Sequence, residues 1–141
     1  MNRDEIRAFL PHREPMLLMD EAFPVNPGEA SGSCLIHGDE FFLQGHFPGF
    51  PVVPGVILCE MIAQSAGVLV MDKLKEGFLP LFTGIEKVRF RRMVRPGDRV
   101  VTQCRMLRAS GSLLKVAGEA RVNGELCADG VFLLMLTKGG T

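Results

Sequence analysis

Tryptophan and tyrosine are both missing from this 141-residue chain, and phenylalanine supplies all ten aromatic rings. Without Trp and Tyr there is little on which nucleobases would stack, and 16 basic against 16 acidic side chains leave no net field to draw a phosphate backbone. Nucleic acid is therefore not an expected partner. The chain also lacks a CxxC pair, and cysteines 34, 59, 104 and 127 fit no metal-ligand spacing. Free buried thiols are expected rather than a disulfide framework or a zinc site, with neither metal nor cofactor. Cys59 precedes Glu60 in the central stretch, but a nucleophile would need a nearby base and exposure, so that role is not expected of it. The N-terminal stretch MNRDEIRAFLPHREP has no continuous apolar run. It reads as neither signal peptide nor membrane anchor, so a cytoplasmic protein off the membrane is expected. Repeats, low-complexity segments and long linkers are absent too, which implies one domain over residues 1–141.

What is present is apolar: 47% of residues are hydrophobic and 23% charged, a balance that implies a subunit interface and hence an oligomer. Asn2 with Glu5 forms a capping-box pattern for a short helix that Pro11 ends. His12 and Arg13 then lie between Pro11 and Pro15 in a stiff loop, read as a solvated connector. Strands are predicted over Leu17–Val25 and Ala30–His37, joined by the turn Asn26-Pro27-Gly28. Phe41 and Phe42 form a short apolar plug. After Pro80, strands are predicted over Leu81–Met93, Arg99–Arg108, Leu113–Val122 and Glu125–Thr137, with Asn123-Gly124 as a hairpin turn. The tail from Lys138 to Thr141 is expected to fray.

Between the two sets of strands lies the stretch that organises the rest, LQGHFPGFPVVPGVILCEMIAQSAGVLVM, from Leu43 to Met71. From Gly55 it is a helix of about 20 residues, apolar on every side and closed by Gly77, with Glu60, Gln64 and Ser65 as its only polar interruptions before Asp72. Such a helix must be surrounded, so the expected class is α+β: one long central helix wrapped by a curved antiparallel sheet and a partner subunit.

Prolines 48, 51 and 54 stiffen the backbone between His46 and the helix, and Pro54-Gly55 sets unpaired amides of Gly55 and Val56 at its positive end. Those amides suit a carbonyl oxygen that gains negative charge. Glu60, with Gln64 one turn on along the same face, sits where burial disfavours the ionised carboxylate and favours a proton donor. An imidazole at His46 complements it as base. Together they suit proton removal beside a carbonyl with loss of a neighbouring hydroxyl as water. The same residues also fit a hydrogen-bonded loop histidine and a satisfied interface glutamate. Spacing alone leaves both readings open.

The chain resembles the 3-hydroxyacyl-acyl-carrier-protein dehydratases of the FabZ type, which have the hot-dog fold. Leu10-Pro11-His12-Arg13 with Pro15, Leu17-Leu18 and Asp20 is similar to their N-terminal signature. Gly45-His46-Phe47-Pro48, Pro51-Val52, Pro54-Gly55-Val56, Glu60 and Gln64 are similar to their active-site segment. Gly84-Ile85, Lys87, Arg89-Phe90-Arg91 and Pro96-Gly97-Asp98 match the strand and turn that follow. The resemblance implies His46 and Glu60 as the catalytic pair from opposite subunits of a dimer, with Gly55 facing the thioester carbonyl and Val56, Phe47 and Gln64 lining the substrate. It also implies a homodimer or trimer of dimers, no metal, and substrate delivered on the phosphopantetheine arm of acyl carrier protein. Glu14, Val53 and the run Ala128–Phe132 depart from the family pattern, which leaves acyl-chain length and pathway open.

Given an acidic carrier protein, the basic cluster Lys87, Arg89, Arg91, Arg92 and Arg95 reads as a docking surface, its first three members alternating onto one strand face. A hot-dog thioesterase and a non-catalytic acyl-binding subunit are the competing functions.

Overall fold

Asn2 accepts from the Glu5 amide at 2.9 Å while Glu5 Oε1 accepts from the Asn2 amide at 3.1 Å, so the capping box starts helix α1, Arg3–Arg7. The computed structural model describes residues 1–138. Strands β1 (Glu21–Pro24) and β2 (Glu29–Leu35) follow, then a 3-10 turn at Phe41–Leu43. Helix α2 (Gly55–Ala66) continues through a 3-10 turn at Gly67–Val70 into α3 (Met71–Lys75). The chain closes with β3 (Phe78–Phe90), β4 (Arg99–Ser110), β5 (Leu113–Val122) and β6 (Glu125–Lys138).

All neighbouring strands pair antiparallel, in the order β1-β2-β4-β5-β6-β3. Leu114, Val116, Ala120 and Val122 of β5 and Val100, Thr102 and Cys104 of β4 alternate into the face that receives α2. Gly118 is part of that fit: a Cβ there would stand 2.2 Å from Ile62 Cγ2. Met61, Ile62, Ser65 and Phe132 are buried where helix and sheet meet, and the Ser65 and Thr102 hydroxyls bond across the contact. The helix is long and apolar enough by composition to cross a membrane, yet it packs as the core helix inside the sheet. The four cysteines are free and buried.

Two expectations change. The first strand begins four residues late, because Leu17, Leu18 and Met19 are buried as an irregular lead-in held by α2 instead of by a strand. Strand β3 runs from 78 to 90 rather than 81 to 93, and as an edge strand it admits Pro80, which has no N–H to donate. Within one chain the central helix leaves uncovered the kind of face for which a partner subunit is expected: Val56 is 71% exposed and Glu60 and Ala63, on the same face, are half-covered. Lys138 ends β6, and the rest of the tail expected to fray lies outside the described residues.

Candidate active site

The loop before α2 is held by its own backbone. The His46 amide donates to Leu43 and the Val52 amide donates back to the His46 carbonyl, at 3.1 and 3.0 Å. Phe47 and Phe50 exchange amide bonds across the turn, and the Val53 amide donates 2.8 Å to the Val94 carbonyl, which ties the loop to the segment after β3. The His46 ring stacks on Phe47 with centroids 4.3 Å apart and planes 24° from parallel. Its Nδ1 lies 3.0 Å from the Val52 carbonyl oxygen. A carbonyl only accepts, so Nδ1 carries the proton of the neutral ring and Nε2 is left with a free lone pair.

Pro54 precedes α2 without a side-chain cap, and the first helical bond is from the Ile57 amide to the Pro54 carbonyl. The Gly55 and Val56 amides are thus left for an outside acceptor. Glycine at 55 lets the exposed Phe90 ring lie over the helix start: a Cβ there would stand 2.7–2.8 Å from that ring and displace it.

Glu60 sits one and a half turns on, its side chain 20% exposed. Burial pushes its carboxyl up to about 7, the direction a proton donor near neutrality needs. No ion pair joins it to His46 within the chain. Among the described residues, the basic group within 4.0 Å of the Glu60 carboxyl is His12, whose Nε2 lies 3.8 Å from Oε1. The loop around His12 is exposed, as a solvated connector would be, but the His12 ring itself is not: its imidazole is 19% exposed and packed beside Glu60. The one sequence signal available was its place inside the Leu-Pro-His-Arg motif.

Gln64 is corrected in the other direction. It is 1% exposed, its Oε1 accepts from the Leu18 amide at 2.9 Å and its Nε2 donates to the Met16 carbonyl at 2.6 Å. Its polar atoms brace the N-terminal loop and do not line a substrate surface. Phe47 and Val56 are exposed at the helix entrance, where they can contact a ligand.

The basic cluster does not share one face. A bulge between Glu86 and Arg89 breaks the alternation, with Lys87 at φ +52° and Val88 turned onto Gly130. Arg91 pairs with Asp129 at 3.2 Å and Arg92 with Asp98 and Glu125 at 3.3 and 3.4 Å. Arg95 lies 5.2 Å over the Phe50 ring. Lys87, Arg89 and Arg95 keep their charge unpaired among the described residues. No group of three or more His, Cys, Asp or Glu among those residues is placed to hold a metal.

Residues 10–130 match the family described as FabA-like domain. The 3-hydroxyacyl-acyl-carrier-protein dehydratase FabZ of Petrotoga mobilis is 38% identical over 138 residues, 98% of this chain and 99% of that one. The FabZ of Oleidesulfovibrio alaskensis is 46% identical over 129 residues, covering 89% and 84%. Among solved structures, the dehydratase heterocomplex ApeI:P from Xenorhabdus doucetiae aligns with TM-score 0.82 at 22% identity, over 94% of this chain and 91% of that one. A hypothetical thioesterase with coenzyme A from Streptococcus pneumoniae aligns with TM-score 0.63 at 11% identity, over 86% and 88%. Those two structural likenesses carry the fold alone, the hot-dog arrangement of one central helix in a curved antiparallel sheet. The full-length identities with FabZ proteins carry the family: this chain belongs to the FabA-like family and, within it, to the FabZ-type dehydratases.

Proposed function

We propose that this chain removes water from 3-hydroxyacyl chains carried on acyl carrier protein and releases the trans-2-enoyl thioester. The observation that carries the reading is the placement of the Glu60 carboxyl, 20% exposed in an apolar setting, one and a half turns into a helix whose first amides are free. His46 Nε2 takes the C2 proton, and the Gly55 and Val56 amides bind the thioester oxygen as charge builds on it. The C2 electron pair becomes the C2–C3 double bond. The C3–O bond breaks as Glu60 gives its proton to the hydroxyl, which leaves as water. A proton then passes from His46 back to Glu60 through solvent. Phe47 and Val56 border the acyl thioester.

The site is composed from two copies, His46 of one and Glu60 of the other. Supporting this, the two groups make no contact within a chain, and one edge is rich in uncovered apolar side chains. Leu81, Phe82, Ile85 and Phe90 of edge strand β3 are 39–54% exposed, and Val56 and Phe47 are exposed at the helix entrance. A second copy covers that edge, and three such dimers form the full assembly. Carrier protein docks through Lys87, Arg89 and Arg95, with Arg91 and Arg92 already committed to internal carboxylates. The reaction belongs in the cytoplasm. A spectroscopic assay with a short 3-hydroxyacyl thioester tests the reading: enoyl absorbance should appear with the wild type, whereas free thiol without it would make the chain a thioesterase.

A further inference from the structure

His12 has no task in that scheme, yet it is built into the site. Its Nδ1 is buried without a hydrogen-bond partner among the described residues, while Nε2 faces Glu60 Oε1 at 3.8 Å. A buried N–H without an acceptor is rarer in folded proteins than a buried acceptor left short of donors. The ring proton therefore sits on Nε2, toward the carboxyl. Burial lowers the pKa of His12, so the ring is neutral when it faces the acid.

The loop is held for this purpose by α2 itself. Gln64, one turn from Glu60, fixes Met16 and Leu18. The Arg13 guanidinium ties the other end through the Leu10, His12 and Arg7 carbonyls at 2.8, 2.7 and 3.1 Å. One helix thus carries both the acid and the anchor of the loop that presents His12.

We infer that His12 is a positioning residue for Glu60: its Nε2–H faces the carboxyl and takes up a hydrogen bond to it as Glu60 gives its proton to the departing hydroxyl. At 3.8 Å the pair is longer than a hydrogen bond, as suits a carboxyl still protonated. Contraction to about 2.8 Å follows as the carboxylate forms, because a charged acceptor shortens the bond. The interaction is stronger in the transition state than before it, which is the condition for raising kcat. The other titratable groups around Glu60 are the buried thiol of Cys59, pushed up by burial, and His46 of the second copy.

The inference rests on Glu60 as the acid, and a pair of isosteres tests it. His12→Gln places an amide N–H where Nε2 was; His12→Asn carries the same amide one methylene short. His12→Asn should lower kcat several-fold to about tenfold with KM little changed, the loss of one hydrogen bond. In side-chain 13C-labelled protein, the Glu60 carboxyl should then titrate at higher pH, with the resonance assigned through Glu60→Gln. His12→Gln should restore most of both. Equal behaviour of the two variants, or an unmoved Glu60 titration, overturns the inference. Should His12→Asn fail to fold, the ring 15N shifts of His12 in the wild type decide, and an Nδ1–H tautomer overturns it. Near-normal turnover in Glu60→Gln would instead sink the acid role itself.

Discussion

The His46 ring donates from Nδ1 to the Val52 carbonyl six residues on, and that one bond of 3.0 Å leaves the other ring nitrogen with the free lone pair that the proposed base needs. The Val52 amide in turn reaches the His46 carbonyl, so the ring and its acceptor are fixed by the same short loop. His46→Asn keeps a donor for Val52 while removing the base. It should purify folded, with kcat lowered on the order of a hundredfold or more, measured as the rate of enoyl formation. A near-normal rate would remove His46 from the mechanism.

Burial of Glu60 sets a pH dependence with a definite sign. Its folded-state value is raised from the ordinary 4.5 to about 7. Between those limits the folded chain holds a proton that the unfolded chain has lost, so stability falls as pH rises through the window. Glu60→Gln abolishes that slope. Relative to the variant, the wild type should lose on the order of 2–3 kcal/mol between pH 4.5 and pH 8, read by urea denaturation. Turnover should fall on the alkaline side of about 7, where the acid form is depleted.

Gln64→Leu should destabilise by about 2–4 kcal/mol, because the Leu18 amide and the Met16 carbonyl both lose their partner in a buried place. A change below about 0.5 kcal/mol in urea denaturation would show that the brace is dispensable. Loss of the brace should also lower kcat in the folded fraction, since it frees the loop that carries His12.

Joint substitution of Lys87 and Arg89 by Glu should raise KM for an acyl-carrier-protein substrate roughly tenfold and leave KM for the same acyl group on a short thiol unchanged. Added salt should narrow the difference. Equal effects on both substrates would mean that these charges shape the fold rather than meet the carrier.

Much of this architecture was legible because period-2 alternation and turn chemistry are local. Leu113–Val122 was bounded by Ser110-Gly111 and Asn123-Gly124, and the strand forms over those residues. The capping box at Asn2 and Glu5 was equally local. The candidate acid was legible for a simple reason too: a carboxyl in an apolar run has no good solvent. The misreadings all involve partners far apart in sequence. The resemblance implies that Gln64 lines the substrate, but its partners Met16 and Leu18 lie 48 and 46 residues away. His12 is likewise far from Glu60 in sequence and meets it where the N-terminal loop packs against α2. The bulge at Lys87 depends on how β3 meets β6, which alternation along one strand cannot reveal.

In the proposed site His46 comes from one copy and Glu60 from the other, and mixing inactive variants decides whether it does. His46→Asn and Glu60→Gln chains are each denatured, combined and refolded together, and enoyl formation is measured. In a mixed dimer one of the two sites regains both wild-type groups, so activity should return to about half the wild-type rate per mixed dimer. If the mixture stays as inactive as its separate parents while mixed dimers are shown to have formed, the two groups do not come from opposite copies.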